Sequence, residues 1–256
     1  MKSLFAFDID GTLYNSEKKI LEHTKEALHA LQKDGHIVMI ATGRSESQAA
    51  PIIKELNLDS YITCNGAEAV IENERIYESY VDKKELQQLI ENHPQLECAV
   101  VTRNHTYRLQ EEMSDKAVTA MNSFGEGIPS YRALSEIQDP ICQVLLFIEE
   151  EEAKELQKTL PETLRMVRWH SFAVDLLPVQ NSKATALKEV LTLKNIPVDH
   201  SYAFGDGNND YEMLQTVGTG VAMGNAVERT KAIADYVTTS NDEDGIFHAL
   251  KHFDFI

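Results

Sequence analysis

Asp8 and Asp10 stand two residues apart at the end of an apolar run, in the stretch FAFDIDGTLYN over residues 5–15. Residues i and i+2 of an extended chain point the same way, so two carboxylates would crowd one small space. Like charges that close repel, and one must then keep a proton or share a cation. Asp206 and Asp210 form a second acidic pair, in the Gly- and Asn-rich stretch GDGNND. Hard carboxylate and carbonyl oxygens in such a loop suit Mg²⁺. Asp206, Asn208 and Asp210 also match the opening of an EF-hand loop. That reading fails, because Tyr211 stands where the loop needs Gly and Val217 where it needs its closing Glu. A P-loop would need Lys and Ser/Thr after the second Gly, and neither is there. Thr42 and Gly43, in IATGRS, precede a predicted helix. Thr42 is either an N-cap or, with neighbouring backbone N–H groups, part of a phosphate cradle. Lys183 opens the helix-like SKATALKEVL, where a cation opposes the helix dipole. Taken singly, each group also suits an ordinary turn, cap or surface helix.

Three of these groups follow predicted strands, and residues there can converge, since open parallel sheets bind ligands outside the carboxyl ends of their strands. SLFAF reads as a short buried strand. Residues 16–35 place Ile20, Leu21, Ala27, Leu28 and Leu31 at helical spacing, with Gly35 as the stop. HIVMIA, SESQAAPIIKELN and SYITC then read as strand, helix and strand. This βαβαβ order predicts a parallel sheet covered by helices. The last third repeats the rhythm with KATALKEVLTLKN, SYAF, YEMLQTV, GTGVAM and AVERTKAIADY. The middle differs: LECAVVT, TYRLQ, CQVLLFIEE and MVRWHSFAVDLL read as strands, with two clear helical stretches between them. The expectation is an α/β core over residues 1–81 and 182–256, interrupted by an α+β domain over 82–181.

Bulk composition narrows the function classes. The chain has 256 residues, enough for a substantial buried core, with 43% hydrophobic and 25% charged residues. A formal charge of -17 makes nucleic acid and anionic membrane surfaces poor partners, so a small anion would have to be captured by local groups. Cys64, Cys98 and Cys142 form no CxxC pair, which suits a reducing compartment. The apolar run at the start is too short for a signal peptide, and no run approaches eighteen apolar residues. A cytoplasmic protein without membrane segments is expected.

In combination the groups are far more specific. DIDGT, ATGR, SK and GDGNND, in this order, resemble the four motifs of the haloacid dehalogenase (HAD) superfamily of phosphohydrolases. The insert between the second and third motifs is similar to a C2-type cap on a Rossmann-like core. CNGA at 64–67, GNA at 224–226 and the closing NDEDGIFHAL add a resemblance to the Cof-type branch. The resemblance covers essentially the whole chain. It implies a Mg²⁺-dependent phosphatase of small phosphorylated metabolites, sugar phosphates foremost. Asp8 is then the nucleophile, forming an aspartyl-phosphate, and a carboxylate needs no activating base at neutral pH. Asp10 becomes the acid and base, a role that calls for a raised pKa, which crowding by Asp8 would supply. The metal falls to Asp8, the Asp10 carbonyl, Asp206 and Asp210. Thr42, Gly43, Lys183 and Asn209 fall to the phosphoryl group, and Arg44 to the substrate or to a surface ion pair.

Weaker candidates remain. His248 and His252 have helical zinc-ligand spacing but lack a third ligand, so a solvent-facing helix is expected. Arg168 and His170 would share one strand face, and with Arg103, Tyr107, Arg165 and Trp169 could reach a leaving group, although a solvated sheet face is the expectation. Asn65 and Gly66 would line the floor of the cleft. Two other functions stay open: a phosphotransferase of the phosphomannomutase type, and a non-catalytic phosphometabolite-binding protein.

Overall fold

The computed structural model describes residues 2–124 and 127–256. Strands β1 (Leu4–Phe7), β2 (Ile37–Ala41), β3 (Tyr61–Thr63), β4 (Glu68–Ile71) and β5 (Glu74–Glu78) alternate with helices α1 (Glu22–Lys33) and α2 (Glu46–Glu55). Helix α3 (Lys83–Asn92) leads to β6 (Cys98–Val101), β7 (Thr106–Arg108), α4 (Asp115–Phe124), β8 (Ser130–Tyr131), β9 (Gln143–Leu146), α5 (Glu150–Gln157), β10 (Leu164–His170) and β11 (Ala173–Pro178). The chain closes with α6 (Lys183–Lys194), β12 (Ser201–Gly205), α7 (Tyr211–Thr216), β13 (Thr219–Ala222), α8 (Glu228–Lys231), β14 (Tyr236–Val237) and α9 (Gly245–His252). Two compact units result: Met1–Arg44, Gln48–Glu78 and Ser182–Ile256 in one, Ser45–Ser47 and Ser79–Asn181 in the other.

The first unit is an α/β sandwich. Its eight-stranded sheet runs β14-β13-β12-β1-β2-β3-β4-β5, parallel from β14 to β3 and antiparallel beyond. Side chains alternate across β1, and both faces are buried. Phe5 and Phe7 join a core with α1 and α9, whereas Leu4 and Ala6 join one with α6 and α7. Each large apolar side chain so buried contributes roughly 1.5–3 kcal/mol. The strand that ends at Asp8 is therefore anchored from both sides. Strand order reverses between β1 and β12, where crossovers leave in opposite directions, the place at which open parallel sheets bind ligands.

The antiparallel hairpin β4–β5 is absent from the expected pattern. Its turn uses Glu72 and Asn73, both at positive φ (53° and 64°), without the Gly that usually marks such a turn. Helix α1 starts at Glu22 rather than at residue 16, and α8 is four residues of the expected AVERTKAIADY.

Among the described residues the second unit holds a six-stranded sheet, β10-β11-β9-β6-β7-β8, antiparallel except for β7–β8, and three helices rather than two. MVRWHSFAVDLL is not one strand. Two antiparallel strands, β10 and β11, turn at Ser171 and Phe172, and the register shifts between Arg168 and His170. That irregularity breaks the alternation that would have put Arg168 and His170 on one face. Arg168 is engaged with its own neighbourhood, donating to the carbonyls of Ile148, His170 and Ser171 and to Glu150. Arg103 donates to the Tyr80 hydroxyl and Arg165 to the Asn181 carbonyl, while Tyr107 is buried beneath Arg132.

Candidate active site

Five loops of the first unit leave the carboxyl ends of β1, β2, β3, β12 and β13, and they carry every core candidate except Lys183. Asp8 follows β1 directly, and its N–H continues the parallel ladder to the Phe204 carbonyl at 2.9 Å. Asp206 follows β12. Lys183 arrives from α6, whose N-cap Ser182 accepts from the Thr185 N–H at 3.0 Å. The CNGA loop sets the depth of that helix. Cys64, Asn65 and Gly66 all have positive φ (48°, 52° and 92°), and a Cβ on Gly66 would overlap the Ser182 carbonyl. Only glycine meets both demands, so Gly66 governs how closely the start of α6 approaches β3.

Lys183 is fully buried and donates to Asp8 Oδ1 at 2.5 Å and to Asp210 Oδ1 at 2.7 Å. Asp210 is also buried, and its Oδ2 accepts the N–H groups of Asp206 (3.0 Å) and Gly207 (2.9 Å). It therefore ties its own loop to the lysine. Asp206 accepts from the Thr12 hydroxyl at 3.0 Å. Carboxylate oxygens of Asp8, Asp206 and Asp210 all lie within 4.8 Å of one another. Among the described residues no other group of three His, Cys, Asp or Glu side chains is so gathered. His248 and His252 have separate partners, the Thr239 hydroxyl and the Tyr236 ring, and they form no ligand pair.

Three carboxylates thus face one ammonium. Burial pushes Asp8 well above the usual carboxylate range against the pull of Lys183, and Asp210 and Asp206 add to the rise. Burial and the charge of Asp210 push Asp206 up to about 7. Burial alone would lower Lys183, but Asp210 and Asp8 outweigh it and hold the amine above its ordinary value. Hard oxygen donors, a surplus of negative charge and close spacing fit a small divalent cation such as Mg²⁺.

Asp10 has cationic partners of its own. Its carboxylate turns to Arg44, which donates Nε to Oδ2 at 2.8 Å and Nη2 to Oδ1 at 2.7 Å, and to Lys18, which donates to Oδ1 at 2.9 Å. Burial would raise Asp10, but Arg44 and Lys18 hold it below the usual carboxylate value. The expected inequivalence is reversed, because Asp10 lies beyond the end of β1 and its side chain has cationic partners of its own. Thr42 is no N-cap. Helix α2 begins four residues later, and the buried Thr42 hydroxyl accepts the Arg44 N–H at 3.1 Å. Gly43 lets the β2 loop close on Asn65, whose amide would lie 3.2 Å from a Cβ there. The Asn65 Oδ1 in turn accepts from Asn209 Nδ2 at 3.1 Å. Asn65, Gly43 and Asn209 are thus brought together.

Sequence reasoning gave no role to Thr12, Lys18, Asn225 or Asn241. Asn225 donates to the Gly11 carbonyl and Asn241 to the Tyr14 carbonyl, both at 2.8 Å, and the Asn241 N–H donates to Asn225 Oδ1. The signal lay in GNA and NDEDG, whose distant partners no local pattern reveals.

Residues 5–250 match the family described as haloacid dehalogenase-like hydrolases. The chain belongs to that family. This HAD-like hydrolase is 39% identical over 249 residues to the putative phosphatase YkrA of Bacillus subtilis, covering 97% of this chain and 96% of the relative. Its fold is similar to that of BT1666, a HAD phosphatase of Bacteroides thetaiotaomicron (TM-score 0.91, 29% identity, 100% and 96% covered). It is also similar to the HAD subclass IIB sugar phosphatase BT4131 (TM-score 0.86, 33% identity, both chains fully covered). The protein is a HAD-type phosphatase, and among the described residues no helix is long and apolar enough to cross a membrane.

Proposed function

We propose that the protein is a Mg²⁺-dependent phosphatase of small phosphorylated metabolites, sugar phosphates foremost, working through an aspartyl-phosphate on Asp8. Residues 1–81 and 182–256 serve as catalytic core, and 82–181 as a C2-type cap. The observation that carries the reading is the buried Asp8, held by Lys183 beside Asp206 and Asp210 at the strand-order reversal. The likeness to a sugar phosphatase supports the substrate class.

Asp8 attacks phosphorus, and the bond to the leaving oxygen breaks as Asp10 gives that oxygen a proton. Asp10 then takes a proton from water, whose oxygen attacks phosphorus and releases phosphate from Asp8. Lys183 offsets the charge gathering on the phosphoryl oxygens, with Thr42, Gly43 and Asn209 as further phosphate contacts. Arg44 and Lys18 favour the ionised form of Asp10, so donation is the more demanding half, and poor leaving groups expose it. Mg²⁺ would be held by the Asp8, Asp206 and Asp210 carboxylates and the Asp10 carbonyl, supplying positive charge to the transferring group.

Phosphate release from a panel of phosphorylated metabolites, with and without Mg²⁺, tests this function. Turnover is expected only with the metal and is lost in Asp8→Asn protein. Turnover that survives EDTA would overturn the metal role. Isomerisation of a hexose phosphate dependent on a bisphosphate would favour a phosphotransferase, and tight binding without turnover a binding protein.

A further inference from the structure

We propose that Arg44 is a positioning residue for Asp10 rather than a ligand of the substrate's phosphoryl group. The inference rests on the reading of Asp10 as acid and base. The guanidinium meets the carboxylate in two parallel hydrogen bonds, 2.8 Å from Nε to Oδ2 and 2.7 Å from Nη2 to Oδ1. Such a fork fixes the plane of the carboxylate as well as its place. A point charge cannot do the same, and Lys18 supplies only one such contact, to Oδ1 at 2.9 Å.

Arg44 is itself held. Its guanidinium lies 5.3 Å above the Tyr14 ring, its side chain is only 16% exposed, and its N–H is bonded to the Thr42 hydroxyl. Tyr14 forms a β-bridge with Asp10 and accepts from Asn241, while Asn225 holds Gly11. The backbone of the Asp10 loop is therefore pinned from the C-terminal side and its carboxylate from the β2 loop.

The arrangement also selects an oxygen. A carboxylate has about four lone-pair sites. Arg44 takes one on each oxygen and Lys18 the second on Oδ1, which leaves Oδ2 with a site for the travelling proton. Asp10 exchanges its proton through Oδ2, and Arg44 aims that oxygen.

The test is kcat/KM with Mg²⁺ across phosphate esters of graded leaving-group acidity, for wild type, Asp10→Asn, Arg44→Ala and Arg44→Lys. Competitive inhibition by inorganic phosphate is measured alongside. General acid catalysis contributes roughly a hundredfold to ten-thousandfold. Asp10→Asn is expected to lose that on alkyl phosphates and much less on p-nitrophenyl phosphate. Arg44→Ala should steepen the leaving-group dependence in the same sense, by about tenfold to a hundredfold on alkyl esters, with phosphate inhibition unchanged. Arg44→Lys, which keeps the cation and loses the fork, should fall between and serves if the alanine variant does not fold. An unaltered leaving-group dependence in both Arg44 variants, or phosphate inhibition weakened in step with activity, would overturn the positioning role. If Asp10→Asn itself leaves the dependence unaltered, the acid role of Asp10 fails, and the inference with it.

Discussion

At the scale of single residues, charge balance decides behaviour. Asp8 and Asp210 pair with Lys183, with Asp206 beside them, whereas Asp10 pairs with Arg44 and Lys18. Removing one partner of a buried ion pair costs about 3–5 kcal/mol, because the other charge stays buried. Lys183→Met is therefore expected to destabilise the protein by an amount of that order in EDTA. Denaturant unfolding measures it, and a loss below about 1 kcal/mol would mean that the pairs behave like surface ones. Lys183→Arg should rescue stability poorly, since the larger guanidinium must enter a fully packed site. The pairing of Asp10 with Arg44 was beyond sequence reasoning. The two residues lie 34 apart, and which cation takes a carboxylate depends on side-chain directions that no spacing encodes.

At the scale of elements, the loops act as spacers with defined tolerances. Gly66→Ala would put a side chain at φ 92° and drive its Cβ into the Ser182 carbonyl, at the start of the helix that carries Lys183. Left-handed strain alone costs about 1–3 kcal/mol. A fall in melting temperature of roughly 2–4 °C per kcal/mol is expected for a chain of this size, with kcat reduced through displaced Lys183. A variant with unaltered stability and kcat would show that the loop yields without moving α6. Much of this arrangement was legible. Apolar strands ending in Asp8, Thr42 and Asp206 implied a parallel sheet with those residues at its carboxyl edge, because buried strands and turn residues leave local marks. The β4–β5 hairpin was not legible, since Glu72 and Asn73 adopt positive φ without glycine. The β10–β11 hairpin was missed for a related reason: Ser171 and Phe172 are weak turn markers inside an apolar run.

At the scale of the whole molecule, the site couples stability to pH and, on the proposed function, to metal. Burial and Asp210 push folded Asp206 up to about 7, against about 3.9 for an unfolded Asp, and Asp8 is raised as well. Between these values the folded protein binds more protons than the unfolded one, so stability in EDTA falls as pH rises from about 4 to about 7. Asp10 acts in the opposite sense: its contribution is lost as pH falls through its depressed value, below that window. On the proposed function, Mg²⁺ would displace the bound protons, and its stabilising effect should grow over the same range. Thermal melts against pH, with and without Mg²⁺, check both slopes; a melting temperature in EDTA that climbs steadily from pH 4 to 7 would contradict the charge assignment. The most direct measurement concerns the covalent step. Asp10→Asn protein, mixed with an aryl phosphate and Mg²⁺ and quenched in acid, is expected to carry a phosphoryl group on the peptide containing Asp8, detected by mass spectrometry and absent in the Asp8→Asn, Asp10→Asn double variant. Phosphate release from wild type with no adduct on Asp8 under any quench time, or turnover that persists in Asp8→Asn protein, would contradict the aspartyl-phosphate mechanism.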